Sequence, residues 1–436
     1  MSWQNKYKEK IVSIKEAAAV VKSGDHVWLP GATSIPIDIV KELDARRFEL
    51  EGVKLISGLM FQPFEFLKGD AKNNIQYFSS FLGPVERALF NQGNVNLIVN
   101  QFSQLAQIIK DKHQCNIAIF ECSEPDSKGY MSYGPAGSLA NQNAAELADT
   151  IIVQVNKNTP YVYGRNAHIH LSEVDYICEQ SRPLIEVPTT EPDAEESKIA
   201  AFIVDKIKDG STLQLGIGSL SDTVGKFLVD KKDIGIHTEI FTNSMVELAE
   251  KGVITNARKN INQGKSTIVT AIGNKQLHQF IDKNEAIEAC SAAYVNDPNV
   301  IGQHDNFISI NNTIAVDLTG QVCSETIGFK QFSGTGGQLD FVRGARKSKG
   351  GKSFIALKST AMTKKGLVSK ISCALQPGTV VTVPRTEVQY IVTEYGVVNL
   401  WGQDISSRVK AMISIAHPDF RKQLTAEAIE VGLLSD

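Results

Sequence analysis

The sequence predicts an α/β protein built from two related open domains with mostly parallel sheets. Short apolar runs alternate with helical patterns, the alternation begins twice, and a proline- and acid-rich stretch separates the two beginnings. At 436 residues the chain exceeds what one ordinary core needs, so two domains are the default.

In the first half, HVWLPGA (26–32), VKLISG (53–58), VNLIVNQF (95–102), CNIAIFECS (115–123) and TIIVQV (150–155) read as buried strands. IPIDIVKELDA (35–45) and SQLAQIIKDK (103–112) carry apolar residues at helical spacing. Strands alternating with helices imply parallel sheets, whose ligands sit in crevices beyond the strand C-termini. RPLIEVPTTEPDAEES (182–197) holds three prolines and a cluster of acids, as a linker does. It divides the chain into an N-terminal domain, 1–190, and a C-terminal domain, 191–436. The strand TLQLGIG (212–218) follows. The segments 21–43 and 207–228 share a helix end, a Gly turn, a strand, a Gly-containing loop and a helix, with Gly24 and Gly210 in corresponding places. Two such copies leave a cleft between domains, where the active site is expected.

Hydrophobic residues make up 42% and charged residues 21%, and the formal net charge is −3. That balance gives no footprint for nucleic acid, which needs concentrated Lys and Arg. No run approaches the roughly 20 apolar residues of a membrane span, and the polar start MSWQNKYKEK is no signal segment. The expected location is cytoplasmic. Six scattered cysteines form no C-x-x-C pair and read as reduced, mostly buried thiols. His168 and His170 lack an acidic or cysteine partner at ligand spacing, so no metal site is expected.

Four segments could carry chemistry. LGIGSL (215–220) is a glycine loop between strand and helix, where backbone N–H groups and a helix start favour negative charge, although many such turns use glycine merely to turn. In IGIHTEIFTNSMVEL (234–248), Glu239 ends an apolar run before Thr242-Asn243-Ser244, near the mouth of a sheet; an arbitrary glutamate there is usually just solvated, and His237 can be a core histidine. SGTGGQLDFVRGARKSKGGKS (333–353) sets Gly334, Gly336 and Gly337 before Arg343, Arg346, Lys347, Lys349 and Lys352. A glycine nest beside a basic cluster suits a phosphate-bearing ligand and an oxyanion; the bland reading is a flexible, solvated basic loop. In YVNDPN (294–299), Asn296 is expected at a strand end, forming a turn or aiming an amide at a substrate.

In this order the segments resemble the acetyl-CoA hydrolase/transferase family, and within it the 4-hydroxybutyrate and butyrate:acetate CoA-transferases. The likeness covers nearly the whole chain, including GATSIP (31–36), CSEPDSKGYMSYG (122–134), TPYVYGRNAHIHLSEVDY (159–176), GIHTE, AEKGVITN (249–256), GTGGQLDF, GGKSFIALKST (351–360) and ISIAHPDF (413–420). The resemblance implies that Glu239 is the nucleophile and that Asn296, Gly336 and Gly337 are catalytic, near the oxyanion. It implies coenzyme A contacts at Gly216, Ile217, Gly218, Ser219, Leu220, Ile314, Gly337 and Met362. Ser219 and Ser221 stand where the family commonly has Gly and Pro, and Met362 where it often has Lys. The implied reaction moves CoA from an acyl-CoA, acetyl-CoA foremost, to a short-chain carboxylate such as 4-hydroxybutyrate or butyrate. It proceeds by ping-pong kinetics through a glutamyl-CoA thioester, with CoA a substrate and no cofactor or metal, in a homodimer. The rivals are acyl-CoA hydrolysis by the same glutamate and a non-catalytic acyl-CoA- or nucleotide-binding module. A dehydrogenase is weaker, because the early turn is not G-x-G-x-x-G.

Overall fold

The computed structural model describes residues 2–137, 139–189, 191–364 and 366–435. The boundary expected at Thr190 lies outside the described residues. Contacts group the chain into two compact units: 1–188 with 239–243 and 266–295, and 189–238 with 244–265 and 296–436.

The first unit holds a seven-stranded sheet. Its strands are β1 (His26–Trp28), β2 (Val53–Ser57), β3 (Ile75–Ser79), β4 (Val95–Leu97), β5 (Ile117–Cys122), β6 (Thr150–Val155) and β7 (Tyr176–Glu179), in the order β4-β3-β2-β1-β5-β6-β7. Every pairing is parallel. Each crossover must return the chain to the end of the sheet from which the previous strand started, and short helices such as α1 (Ile37–Ala45) do so. β5 is buried at every position, the continuous pattern of a strand covered on both faces. The core gathers Leu29, Ile39, Leu43, Leu55, Phe66 and Ile119, each contributing about 1.5–3 kcal/mol through burial.

Polar residues inside this sheet are partnered. Glu121 on β5 is fully buried and receives Arg182 Nη2 at 2.6 Å, while Asn156 and Thr159 donate to its other oxygen. Burial pushes the Glu121 carboxyl up to about 7, against the downward pull of Arg182. Arg182 opens the proline-rich stretch and also donates to the Ile35 carbonyl, so the linker starts anchored.

In the second unit lie β8 (Thr212–Leu215), residues 235–238 of β9 (Gly235–Phe241), β12 (Phe307–Asn312), β13 (Lys352–Ala356), β14 (Tyr390–Thr393) and β15 (Gly396–Asn399). The pair β10 (Ser266–Ala271) and β11 (Ile287–Ala289) belongs to the first unit. The order β9-β8-β12-β13-β14 repeats β2-β1-β5-β6-β7, with an antiparallel β15 added at the edge. Local bonds repeat too. Gly24 and Gly210 have φ of 85° and 75°, conformations that glycine adopts without strain. Their amides donate to the Glu51 and Lys232 carbonyls, both at 2.8 Å, two and three residues before the next strand. The two-copy reading of 21–43 and 207–228 thus extends to whole sheet halves. β3, which the apolar-run criterion passes over, alternates buried and half-buried residues.

Phe354 on β13 is fully buried and stacks on Tyr390 at a centroid distance of 4.9 Å, whereas Phe329 is 87% exposed. Phe354→Ala is expected to lower unfolding stability by about 3–5 kcal/mol and Phe329→Ala by no more than about 0.5 kcal/mol. Denaturant titration of both variants checks this.

Candidate active site

Where β8 ends at Leu215, the chain must turn into α3 (Ser219–Phe227). The Gly216 amide donates to the Ile310 carbonyl at 2.9 Å, so the turn stays tied to β12. Gly218 then takes φ 108°, where any side chain is strained, and it supplies no side-chain cap to α3. Ile217 projects 40% exposed between these glycines. On one side Asn312 Nδ2 donates to the Ile217 carbonyl at 3.2 Å. On the other, the Ser219 hydroxyl makes a short hydrogen bond to Glu196 Oε1. Glu196 lies in α2 (Ala194–Asp205), 7% exposed, where it shares a capping box with Asp193. Lys358 pairs with Asp193 and stands 3.6 Å from Glu195 and 3.9 Å from Glu196. A helix start favours anions, and here one anionic neighbour is already a side chain of the protein.

β12 ends at Asn312, and Ile314 sits just beyond it with its amide bonded to the Cys323 carbonyl at 2.9 Å. The Thr313 carbonyl accepts from Lys370 Nζ at 3.4 Å. Burial pushes the Lys370 ammonium down to about 8, and the nearby Lys358 charge adds to the effect. Glu394 holds Ser359 through both its amide, at 2.8 Å, and its hydroxyl, at 2.5 Å. Met362 stands on the hairpin Thr360–Thr363/Gly366–Ser369, 76% exposed.

The glycine segment 334–337 leads into α4 (Gln338–Lys347), with Gly336 at φ 62°. Glu325 fixes the approach: its carbonyl accepts from the Phe332 and Ser333 amides, and its carboxylate from Thr335 at 3.1 Å. Gln338 Nε2 reaches the Asn312 carbonyl at 3.5 Å. The structure therefore brings Gly216–Leu220, Ile314 and the Gly336–Gly337 turn around the end of β12.

The basic cluster belongs elsewhere, which corrects the picture of a glycine nest beside a basic loop. Arg343, Arg346 and Lys347 lie on α4 itself, toward the end opposite the glycines. A ten-residue helix is about 15 Å long. Arg343 and Arg346 both meet Glu387, at 3.2 and 2.5 Å, and Arg346 covers the Trp401 ring at 3.7 Å. These residues line a cavity of about 620 Å³ with Asn299 and Gln389. Cations in a last turn suit the helix dipole. Asn296 also departs from expectation. It is fully buried, not at a strand end but between the one-turn helices Ala292–Val295 and Pro298–Ile301, because Asp297 and Pro298 start a new helix there.

Glu239 is the fifth residue of β9, half-buried in a strand otherwise buried throughout. Strand alternation places it on the face of His237 and Phe241. The preceding residue, Thr238, donates its hydroxyl to the Leu215 carbonyl at 3.3 Å. His237 is a core histidine: it packs against His304 and Phe307, with ring centroids 5.0 and 6.1 Å away. Glu196, Asn312, Glu325 and Lys358 escaped the sequence reading. The partners of Glu196, Asn312 and Lys358 lie 23, 95 and 165 positions away, and spacing carries no trace of them.

The family models for the acetyl-CoA hydrolase/transferase N-terminal and C-terminal domains match residues 1–187 and 273–428. The chain is 40% identical over 428 residues to the 4-hydroxybutyrate coenzyme A transferase of Clostridium kluyveri, covering 98% of this chain and 99% of that one. It is also 40% identical over 427 residues to the succinyl-CoA:cyclohexane-1-carboxylate CoA transferase of Geobacter metallireducens, covering 98% and 97%. The crystal structure of RipA from Yersinia pestis matches with TM-score 0.94 and 36% identity over 100% of both chains. An acetyl-CoA hydrolase of Yarrowia lipolytica is 26% identical, over 79% of this chain and 73% of that one.

Burial lowers the His304 imidazole to about 3, and Lys259 adds to this. Below its unfolded value near 6.5, the unfolded chain binds a proton that the folded chain refuses, so stability falls as pH drops from 6.5 toward 3. His304→Gln is expected to remove up to about 1.4 kcal/mol per pH unit from that slope. Urea titrations of both proteins between pH 7 and pH 4 check it, and identical slopes would contradict it.

Proposed function

Because the chain belongs to the acetyl-CoA hydrolase/transferase family, we propose that it moves coenzyme A from an acyl-CoA, acetyl-CoA foremost, to a short-chain carboxylate such as 4-hydroxybutyrate or butyrate, with Glu239 as nucleophile. The observation that carries the reading is full-length identity of 40% to proteins named CoA transferases, against 26% to one named a hydrolase. The place of Glu239 supports it. A half-buried carboxylate keeps access to a ligand while losing part of the hydration that makes carboxylates weak nucleophiles.

In this reading a Glu239 carboxylate oxygen attacks the thioester carbonyl. The C–O bond forms, the C–S bond breaks, and CoA departs as thiolate, which leaves an acyl-glutamyl anhydride. The thiolate attacks the glutamyl carbonyl, giving a glutamyl-CoA thioester and releasing the first carboxylate. A second carboxylate reverses the sequence, so the kinetics are ping-pong. Each addition places negative charge on a carbonyl oxygen. We assign its donors to the Asn296 amide and the N–H groups of Gly336 and Gly337. Gly216, Ile217, Gly218, Ser219, Leu220, Ile314, Gly337 and Met362 are assigned to coenzyme A. Its non-reacting nucleotide supplies binding energy that holds the thioester in place. The expected location is cytosolic, and the expected assembly is a homodimer.

Glu239→Ala is expected to lower transfer by at least about 10³-fold, with Glu239→Asp close behind because its carboxylate retreats by one methylene. Near-normal transfer in Glu239→Ala would remove the assignment. Asn296→Ala is expected to lower kcat by about 10²–10³-fold. CoA release from acetyl-CoA, assayed with and without added carboxylate, separates transfer from hydrolysis: a transferase frees little CoA in either assay and makes the acceptor's CoA thioester when carboxylate is added, whereas a hydrolase frees CoA in both.

A further inference from the structure

The glycine loop does not hold its shape alone. α3 starts on Gly218, which has no side chain to cap it, so the direction of the first turn depends on contacts from outside the loop. They include three among the described residues: the Ile310 carbonyl on the Gly216 amide, Asn312 on the Ile217 carbonyl and Glu196 on the Ser219 hydroxyl, of which only the last reaches the helix start itself. Glu196 is itself held. It is 7% exposed, it caps α2 together with Asp193, and Lys358 stands within 4 Å of its carboxylate while pairing with Asp193. A carboxylate fixed by a cation and a helix cap is a rigid acceptor, and its hydrogen bond to a hydroxyl is charge-assisted.

We infer that Glu196, braced by Lys358, is a positioning residue that fixes the Gly216–Ser219 loop through the Ser219 hydroxyl and thereby sets the affinity for acyl-CoA. The inference rests on the reading that this loop takes coenzyme A. Glu196 touches no reacting atom. Its effect falls on binding of the donor rather than on the chemical step, because the loop contacts the ligand equally before and during the reaction.

Ser219→Ala removes the hydrogen bond and leaves the α2 cap intact. KM for acetyl-CoA is expected to rise about tenfold, the loss that one charge-assisted bond gives, with kcat within about twofold of wild type. Glu196→Ala reproduces that rise, and Glu196→Gln, which still accepts from Ser219, recovers most of it. An unchanged KM in Ser219→Ala overturns the inference. So does a rise in Glu196→Ala alone, which reports only a damaged helix cap. A fall in kcat with steady KM overturns it as well. The premise is read separately through Ile217→Asp, which adds a charge to an exposed loop position. If the dissociation constant for CoA, measured by calorimetry, is unchanged in Ile217→Asp, the loop does not take CoA and the inference falls with it. If Ile217→Asp weakens CoA binding and Ser219→Ala does not, only the role of Glu196 fails.

Discussion

Loops that leave a buried parallel sheet carry backbone and hydroxyl groups that no neighbouring strand can satisfy, and in this protein buried carboxylates satisfy many of them. Glu86 receives the Met60 and Gly83 amides with the Tyr77 and Ser79 hydroxyls in the first unit. In the second, Glu325 holds Thr335, Glu394 holds Ser359 and Glu196 holds Ser219. An unpaired buried carboxylate would be costly, and Glu86, with four donors, shows how fully one can be satisfied. Ordering these loops precedes any binding energy the molecule can apply to a ligand.

The same constraint explains the repeated architecture. Both sheet halves start from a left-handed glycine whose amide ties to a carbonyl two or three residues before the next strand, and both then run the same strand order. In the second copy the first βα turn became a glycine loop, and β9 acquired a carboxylate near its end. A single residue in a strand is a precise mount: its direction is set by the pleat and its neighbours are buried.

Much of this was legible in the chain. Continuous apolar runs such as Ile117–Cys122 and Thr150–Val155 announce central parallel strands because both faces need apolar cover. Ile75–Ser79 hides because the half-buried polar Gln76 breaks the run. The stretch after Gly337 resembled a loop for its lysines and glycines, yet Leu339, Phe341, Val342 and Ala345 are buried along one helix, and that periodicity was the available signal. Asn296 was misplaced because Asp297-Pro298 reads equally well as a turn or a helix start. Glu196 looked like one more acid in a linker. Its bond to Ser219 spans 23 positions, and that from Lys358 to Asp193 spans 165, so only the folded chain reveals them.

The central claim is covalent participation of Glu239. The purified protein, turning over acetyl-CoA, is reduced with borohydride and its peptides are mapped by mass spectrometry. Conversion of the Glu239 side chain to the alcohol, only when acetyl-CoA is present, is the predicted result. Undiminished turnover with Glu239 unmodified, or reduction at a different residue, would contradict it.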